Sequence, residues 1–228
     1  MRRGLFAFTL LLGWCAAAHA GEHNWRGVYV GANFGYGDAI AKADFSVLGL
    51  PLLSGSEDLS GGIYGAQLGY NFQIGRVVLG VETDINGTTQ KARSTRLCVT
   101  SLCGLSVTQS SEDSIPWLGT LRGRVGYAFS RFMIYGTGGA GYGEFKSTQS
   151  LTSLLGSVTT QTSDQRLAWA AGAGIEVSIS ENWSAKFEYL YFDTGSFTTT
   201  YNLLGVGLIT ERSRLTDNVV RLGVNYRF

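Results

Sequence analysis

The 228-residue chain carries 18 Lys and Arg against 17 Asp and Glu, a formal net charge of +1. That balance argues against nucleic-acid binding, which draws most of its affinity from an excess of basic side chains. With 32 Gly, 2 Pro and 12% aromatic residues, the composition suits a long-stranded all-β protein better than a helical one. No stretch beyond the first twenty residues approaches the ~18 uninterrupted apolar residues of a helical span, so any membrane insertion must use strands.

The chain opens MRRGLFAFTLLLGWCAAAHA, a basic start, an apolar run and a small-residue ending at Ala18-His19-Ala20. This predicts a secretory signal peptide over residues 1–20, with a barrel domain over 21–228; the apolar run is too short for a membrane anchor. Trp14 stands where a lipoprotein would need a small residue before Cys15, which argues against lipidation. Loss of the signal leaves 208 residues with 16 basic and 17 acidic side chains. Cys98 and Cys103 then remain, close together in an exported chain, and a disulfide is the first expectation. Zinc is the competitor, but two cysteines with no nearby histidine cannot complete a tetrahedral site.

From Trp25 onward the apolar pattern has period two. In GVYVGANFGYG, Val28, Val30, Ala32, Phe34 and Tyr36 share one face, while Gly31, Asn33 and Gly35 share the other. The alternation recurs, predicting strands near 26–37, 61–73, 76–88, 115–128, 132–145, 166–179, 183–194 and 217–228. The fifth is too glycine-rich for its phase to be assigned. Short turns near 73–76, 130–131 and 180–182 alternate with long connections at 38–60, 89–114, 146–165 and 195–216. Outer-membrane barrels have short periplasmic turns and long external loops. The expectation is an all-β, eight-stranded antiparallel up-and-down transmembrane β-barrel of a Gram-negative outer membrane, with four long external loops and both termini periplasmic.

Aromatic residues sort into two belts, as two membrane interfaces require. Trp25, Tyr70, Phe72, Tyr127, Phe129, Trp183, Tyr226 and Phe228 lie near the short turns and termini; Tyr36, Trp117, Trp169 and Tyr191 lie near the long loops. Trp25, Trp117, Trp169 and Trp183 are therefore candidate girdle residues. The last strand alternates Val220, Leu222, Val224, Tyr226, Phe228 to an aromatic C-terminus, which looks like the signature read by barrel-insertion machinery.

The segments NWRGVYVGANFGYG (24–37), GGIYGAQLGYNFQIG (61–75), LRGRVGYAF (121–129), YGTGGAGYG (135–143) and NVVRLGVNYRF (218–228) resemble the α-proteobacterial outer-membrane immunogenic proteins. That porin-like family is similar in architecture to the opacity proteins and the OmpA membrane domain. The resemblance covers the mature chain at strand level, fades in the loops and brings no catalytic residues. It implies antigen exposure or adhesion.

With the apolar face outward, the lumen would hold Glu82, Asp84, Glu176 and Glu188 with Arg122, Arg124, Lys186, Arg221 and Arg227, alongside Asn33, Gln67, Asn71 and Asn225. These form either an ion-selecting constriction or a salt-bridged plug; eight strands leave room only for side chains, which favours the plug. An enzyme at the outer face would normally need a histidine near a serine or acid. The mature chain has only His23, at the N-terminus, where it reads as a disordered terminal residue. Glu57-Asp58 and Glu112-Asp113 read as solvated loop acids rather than acid/base dyads. No P-loop, metal cluster or dinucleotide fingerprint is present, and no cofactor is expected.

The long connections are apolar at their middles: FSVLGLPLL (45–53), LTSLLGSV (151–158) and YNLLGVGLI (201–209). They are either folded loop caps or hairpin extensions of the barrel strands with sticky tips. The expected function is structural and surface-interacting, supporting envelope integrity, adhesion or antigen display, with a narrow passive channel as the alternative. Expected partners are outer-membrane lipid and lipopolysaccharide, the insertion machinery and an external surface partner.

Overall fold

A computed structural model describes residues 23–47, 50–98, 107–153, 156–203 and 207–228. The proposed signal peptide and Cys103 lie outside them. Eight antiparallel strands close into one barrel, each paired with its sequence neighbours and the last with the first. They are β1 Gly27–Val47, β2 Leu50–Ile74, β3 Val77–Cys98, β4 Val107–Ala128, β5 Phe132–Ser153, β6 Gly156–Ser178, β7 Trp183–Leu203 and β8 Gly207–Arg227. Closure satisfies the backbone hydrogen bonds within the sheet and leaves no strand edge in lipid.

The strands run 21 to 25 residues, about twice the ~9 to 11 needed to cross a bilayer. The long connections are therefore mostly hairpin extensions, and the folded-cap reading does not hold. The Ser/Thr-rich segments on either side of the apolar tips continue the period-two ladder, for instance from Lys146↔Ser163 to Ser153↔Gly156. The side chains of the tips lie largely outside the described residues.

Side chains alternate across the wall as the pleat requires. Val30, Phe34, Val81, Ile85, Leu121, Val125, Phe187 and Leu222 face outward and are exposed, forming the lipid-facing band. Towards the loop end this band gives way to exposed Asp38 on β1, one outward position beyond Tyr36. The phase of β5 is settled by Met133 and Tyr135, which are buried inward, and by Ile134 and Tyr142, which face out.

Beyond the band the barrel wall divides. The β6–β7 ladder ends at Trp169↔Asp193, and the β2–β3 ladder at Ser60↔Lys91. The other ladders run on towards the strand tips. The loop end thus consists of two four-stranded sheets, β7-β8-β1-β2 and β3-β4-β5-β6, facing each other across two seams. Ser94 Oγ donates to Glu57 Oε1 at 3.2 Å across the β2–β3 seam.

Two bulky inward tyrosines, Tyr29 and Tyr135, depend on the glycines Gly69 and Gly174. Tyr29 pairs with Gly69, and a Cβ on Gly69 would lie 2.3 Å from the Tyr29 ring and hydroxyl. Gly69→Val should therefore destabilise the barrel by about 1–3 kcal/mol through overpacking, measured by urea unfolding in lipid vesicles. In a Tyr29→Ala background the additional cost should vanish. An equal cost in both backgrounds would refute the steric account.

Candidate functional site

The lumen is the one place where the sequence concentrates charge in a lipid-surrounded wall. Alternation puts Glu82 and Asp84 on the inner face of β3, Arg122 and Arg124 on β4, Glu176 on β6, Lys186 and Glu188 on β7 and Arg221 on β8. All eight residues are buried. Strand register brings Glu82 opposite Arg122, Glu176 opposite Lys186 and Glu188 opposite Arg221. A shift of one residue would turn these charges into hydrocarbon, at up to ~2–4 kcal/mol for each midplane Arg or Lys.

The side chains meet across the barrel, not only along its wall. Glu82 Oε1 lies 2.6 Å from Arg122 and 2.9 Å from Lys186 Nζ, with Arg221 at 3.5 Å. Asp84 Oδ2 receives Arg122 at 3.0 Å and Arg221 at 2.9 Å. Glu188 binds Arg221 at 2.6 Å and Arg122 at 3.2 Å. Glu176 takes Arg124 at 2.7 Å and accepts hydrogen bonds from Ser184 and Asn225. Links such as β3 to β7 and β3 to β8 span the lumen. Four carboxylates and four cations cancel, and hydrogen bonds from neighbours occupy much of the remaining acceptor capacity, which is the condition for a buried network to be tolerated.

Sequence reasoning missed the tyrosines. Tyr29 donates to Glu82 Oε2 at 2.8 Å and accepts from Arg124 at 2.9 Å. Tyr135 donates to Glu188 at 3.0 Å, and its ring lies 4.2 Å beneath the Arg124 guanidinium. The phase shared by Tyr29, Gly31 and Asn33 was the available signal. A second omission is the apolar packing at both ends of the network. Towards the loops, Ile63, Leu118, Ala170, Leu190, Phe192 and Val219 form one inward cluster, and Ala39, Leu59 and Ile115 form another.

The third apolar cluster corrects the girdle assignment. Trp25 is 1% exposed and packs inside the barrel against Val78, Ala128, Met133 and Tyr135, not at the lipid interface. Its amide donates to Gln73 Oε1 at 2.7 Å, which turns the segment before β1 across the barrel mouth. Trp169 and Trp183 do face outward, and Trp117 is half-buried against Tyr142, donating to Glu144 at 3.0 Å. At the C-terminus Phe228 is exposed and Tyr226 stacks edge-on with it and with Trp183.

His23 is likewise ordered. Its backbone N–H donates to the Ser130 carbonyl at 3.1 Å, and its ring sits 3.2 Å from Ser178 Oγ and 3.0 Å from an Arg227 nitrogen. Burial, then the Arg227 charge, lowers its pKa to about 4. It packs edge-on against Trp25 at 4.7 Å, in the same mouth-covering segment. Of the loop acids, Glu112 is held by Arg93 and Lys91, and Glu57 by Ser94, so neither pair is set up as an acid/base dyad. Cys98 ends β3, while its proposed partner Cys103 lies outside the described residues.

A closed barrel with a lipid-facing band and a charged interior defines the class: an integral membrane β-barrel. The outer membrane protein beta-barrel domain family matches residues 6–228, and the chain belongs to that family. It is 37% identical to the 31 kDa outer-membrane immunogenic protein of Brucella melitensis, over 93% of this chain and 87% of that protein. It is 27% identical to the 22 kDa outer membrane protein of Rhizobium leguminosarum, over 90% and 79% respectively. The crystal structure of the outer membrane protein OprG from Pseudomonas aeruginosa superposes with a TM-score of 0.51 at 13% identity, over 91% of this chain and 99% of that one; this likeness concerns the fold alone. The protein is thus an outer-membrane barrel, and neither relative is named for an enzymatic activity.

Two outcomes test the site. Arg122–Glu82 and Arg93–Glu112 have the same 2.6 Å separation, but only the first pair is buried. Arg122→Met should cost about 3–5 kcal/mol because it strands buried acids, whereas Arg93→Met should leave urea unfolding unchanged. Equal effects would show that burial does not set the strength of the pair. For His23, the folded pKa of about 4 lies below the unfolded 6.5, so the unfolded chain binds more protons between those values. Stability from the neutral ring is present above pH 6.5 and lost as pH falls towards 4. Screening at this half-buried site limits the loss to on the order of 1 kcal/mol. His23→Ala should abolish that component of the pH profile.

Proposed function

We propose that this protein is a non-catalytic, plugged wall element of a Gram-negative outer membrane, serving envelope integrity and presenting its strand extensions as a surface for adhesion or as an antigen. The observation that carries the reading is the neutral charge network bridging the lumen, with apolar layers on both sides of it. The names of its relatives, which include an immunogenic protein of Brucella melitensis, support the antigen role. In this reading the termini and short turns face the periplasm, the divided loop end faces outward, and the signal peptide is removed. The partners are outer-membrane lipid and lipopolysaccharide, the insertion machinery acting on Tyr226 and Phe228, and an external surface met by the extensions. The lone histidine of the exported chain is committed to the barrel mouth beside Arg227, away from the outward end, which supports the absence of catalysis.

Planar-bilayer recordings test the plug directly. Wild-type protein should show no stable unitary conductance, and Arg122→Ala/Arg124→Ala should melt earlier and leak. A wild-type conductance whose ion selectivity changes in that variant without loss of stability would establish the narrow channel instead. Deletion of Phe228 should reduce outer-membrane assembly, read as loss of the heat-modifiable folded band.

A further inference from the structure

A hollow lies inside the loop end, above the charge network. Its lining includes Leu118, Ala168, Phe192 and Leu215, and it has a volume of about 60 Å³. At roughly 10–15 Å³ per water on this measure, that accommodates one short alkyl chain. The space exists because β5 and β6 present small residues here: inward Gly141 and Gly143 face Ala168 and its neighbours. A Cβ on Gly141 would already lie 2.9 Å from the Phe192 ring. Ala168 and Thr194, also in the lining, flank the point where the β6–β7 ladder ends at Trp169↔Asp193. The seam between the two sheets is therefore the natural entrance.

Asp217 is among the residues that line this apolar space. It is 4% exposed; the neutral Gln90 amide donates to both its oxygens at 3.1 Å, and the backbone N–H groups of Asn218 and Asp38 also hydrogen-bond to it. Among the described residues no ion pair neutralises it: Arg214, three positions earlier on β8, is committed to Asp193, and Asp38 adds repulsion. Asp217 pairs with Ala39 at the level where the outer wall already carries Asp38, beyond the lipid band. The hydrogen bonds donated by Gln90 favour the charged form of its carboxyl group.

The other charges of the lining are occupied. Glu144 is bound by Trp117, Ser163 and Lys146. Arg166 faces Asp164 at 3.9 Å, and its guanidinium lies 5.5 Å from the Phe145 ring and 5.7 Å from Phe197 across the seam. The entrance thus already holds a cation against aromatic faces, while among the described residues the buried Asp217 carboxylate has no ion-pair partner.

We propose that this hollow binds a small amphiphilic cation, a primary ammonium on a short alkyl chain, with the chain against Leu118, Ala168 and Phe192 and the ammonium on Asp217. The attraction of a buried carboxylate for a cation offsets the cost of desolvating both.

The test uses the full barrel in dodecyl maltoside micelles at pH 7.5, titrated calorimetrically with hexylammonium, hexan-1-ol and hexanoate. Hexylammonium should bind saturably at one site, about tenfold or more tighter than the alcohol, with hexanoate weakest. Asp217→Asn should erase the preference for the ammonium while keeping heat-modifiable folding. Ala168→Leu, which fills the hollow without touching the carboxyl, should weaken ammonium and alcohol alike. Equal uptake of all three compounds, tighter binding of hexanoate, or an ammonium preference that survives Asp217→Asn would overturn the proposal. If Asp217→Asn does not fold, the wild-type series and Ala168→Leu decide it alone.

Discussion

The structure depends on one constraint: a strand crossing lipid must send every second side chain into hydrocarbon and the others into a space only a few side chains wide. Eight strands cannot leave their inward charges in water, so those charges must neutralise one another. Glu82 shows how completely. Its two oxygens are reached by Arg122 from the next strand, by Lys186 and Arg221 from the far wall, and by the Tyr29 hydroxyl. Register, strand order and the placement of inward glycines all serve that arrangement, because moving any strand by one residue exposes its charges to lipid and its apolar face to the network.

The lumen is graded along its axis. Trp25 and His23 close the terminal end, the ionic layer fills the middle, and the clusters around Leu190 and Leu59 lie towards the loop end. An apolar layer on each side keeps water from the ion pairs, which strengthens their attraction and makes any unpaired member costly. The grading also separates roles. The middle is charge-balanced and largely hydrogen-bonded and suits stability, whereas the loop end has small residues, a hollow and, among the described residues, a carboxylate with no ion-pair partner.

The split of the wall beyond the lipid band has a solvation origin. Inside the membrane each ladder must be complete, because unpaired amides in hydrocarbon cost several kcal/mol each. Beyond Trp169 and Asp193 water can satisfy the backbone, and the closed barrel relaxes into two facing sheets. Their free edges and the seam between β6 and β7 are features that only the solvent-exposed part of such a barrel tolerates.

Alternation with period two, two aromatic belts and charges in phase with glycine already determined, from the sequence alone, an eight-stranded barrel with Glu82, Asp84, Arg122, Arg124, Glu176, Lys186, Glu188 and Arg221 inside. These features repeat locally and need no partner to be read. What the tertiary structure decided is whatever depends on who lies across the lumen. Trp25 looks like a belt residue by position, yet it turns inward because Gln73 and the space beside Val78 and Met133 receive it. Tyr29 enters the network because Gly69 on the next strand leaves room for its ring. Leu190 and Val219 face inward although an apolar residue in such a strand is expected to face lipid, because at their height the lumen is closed by other apolar side chains. Pairing across a closed barrel links residues far apart in sequence, such as Glu82 with Lys186, and no local period encodes which of them will meet.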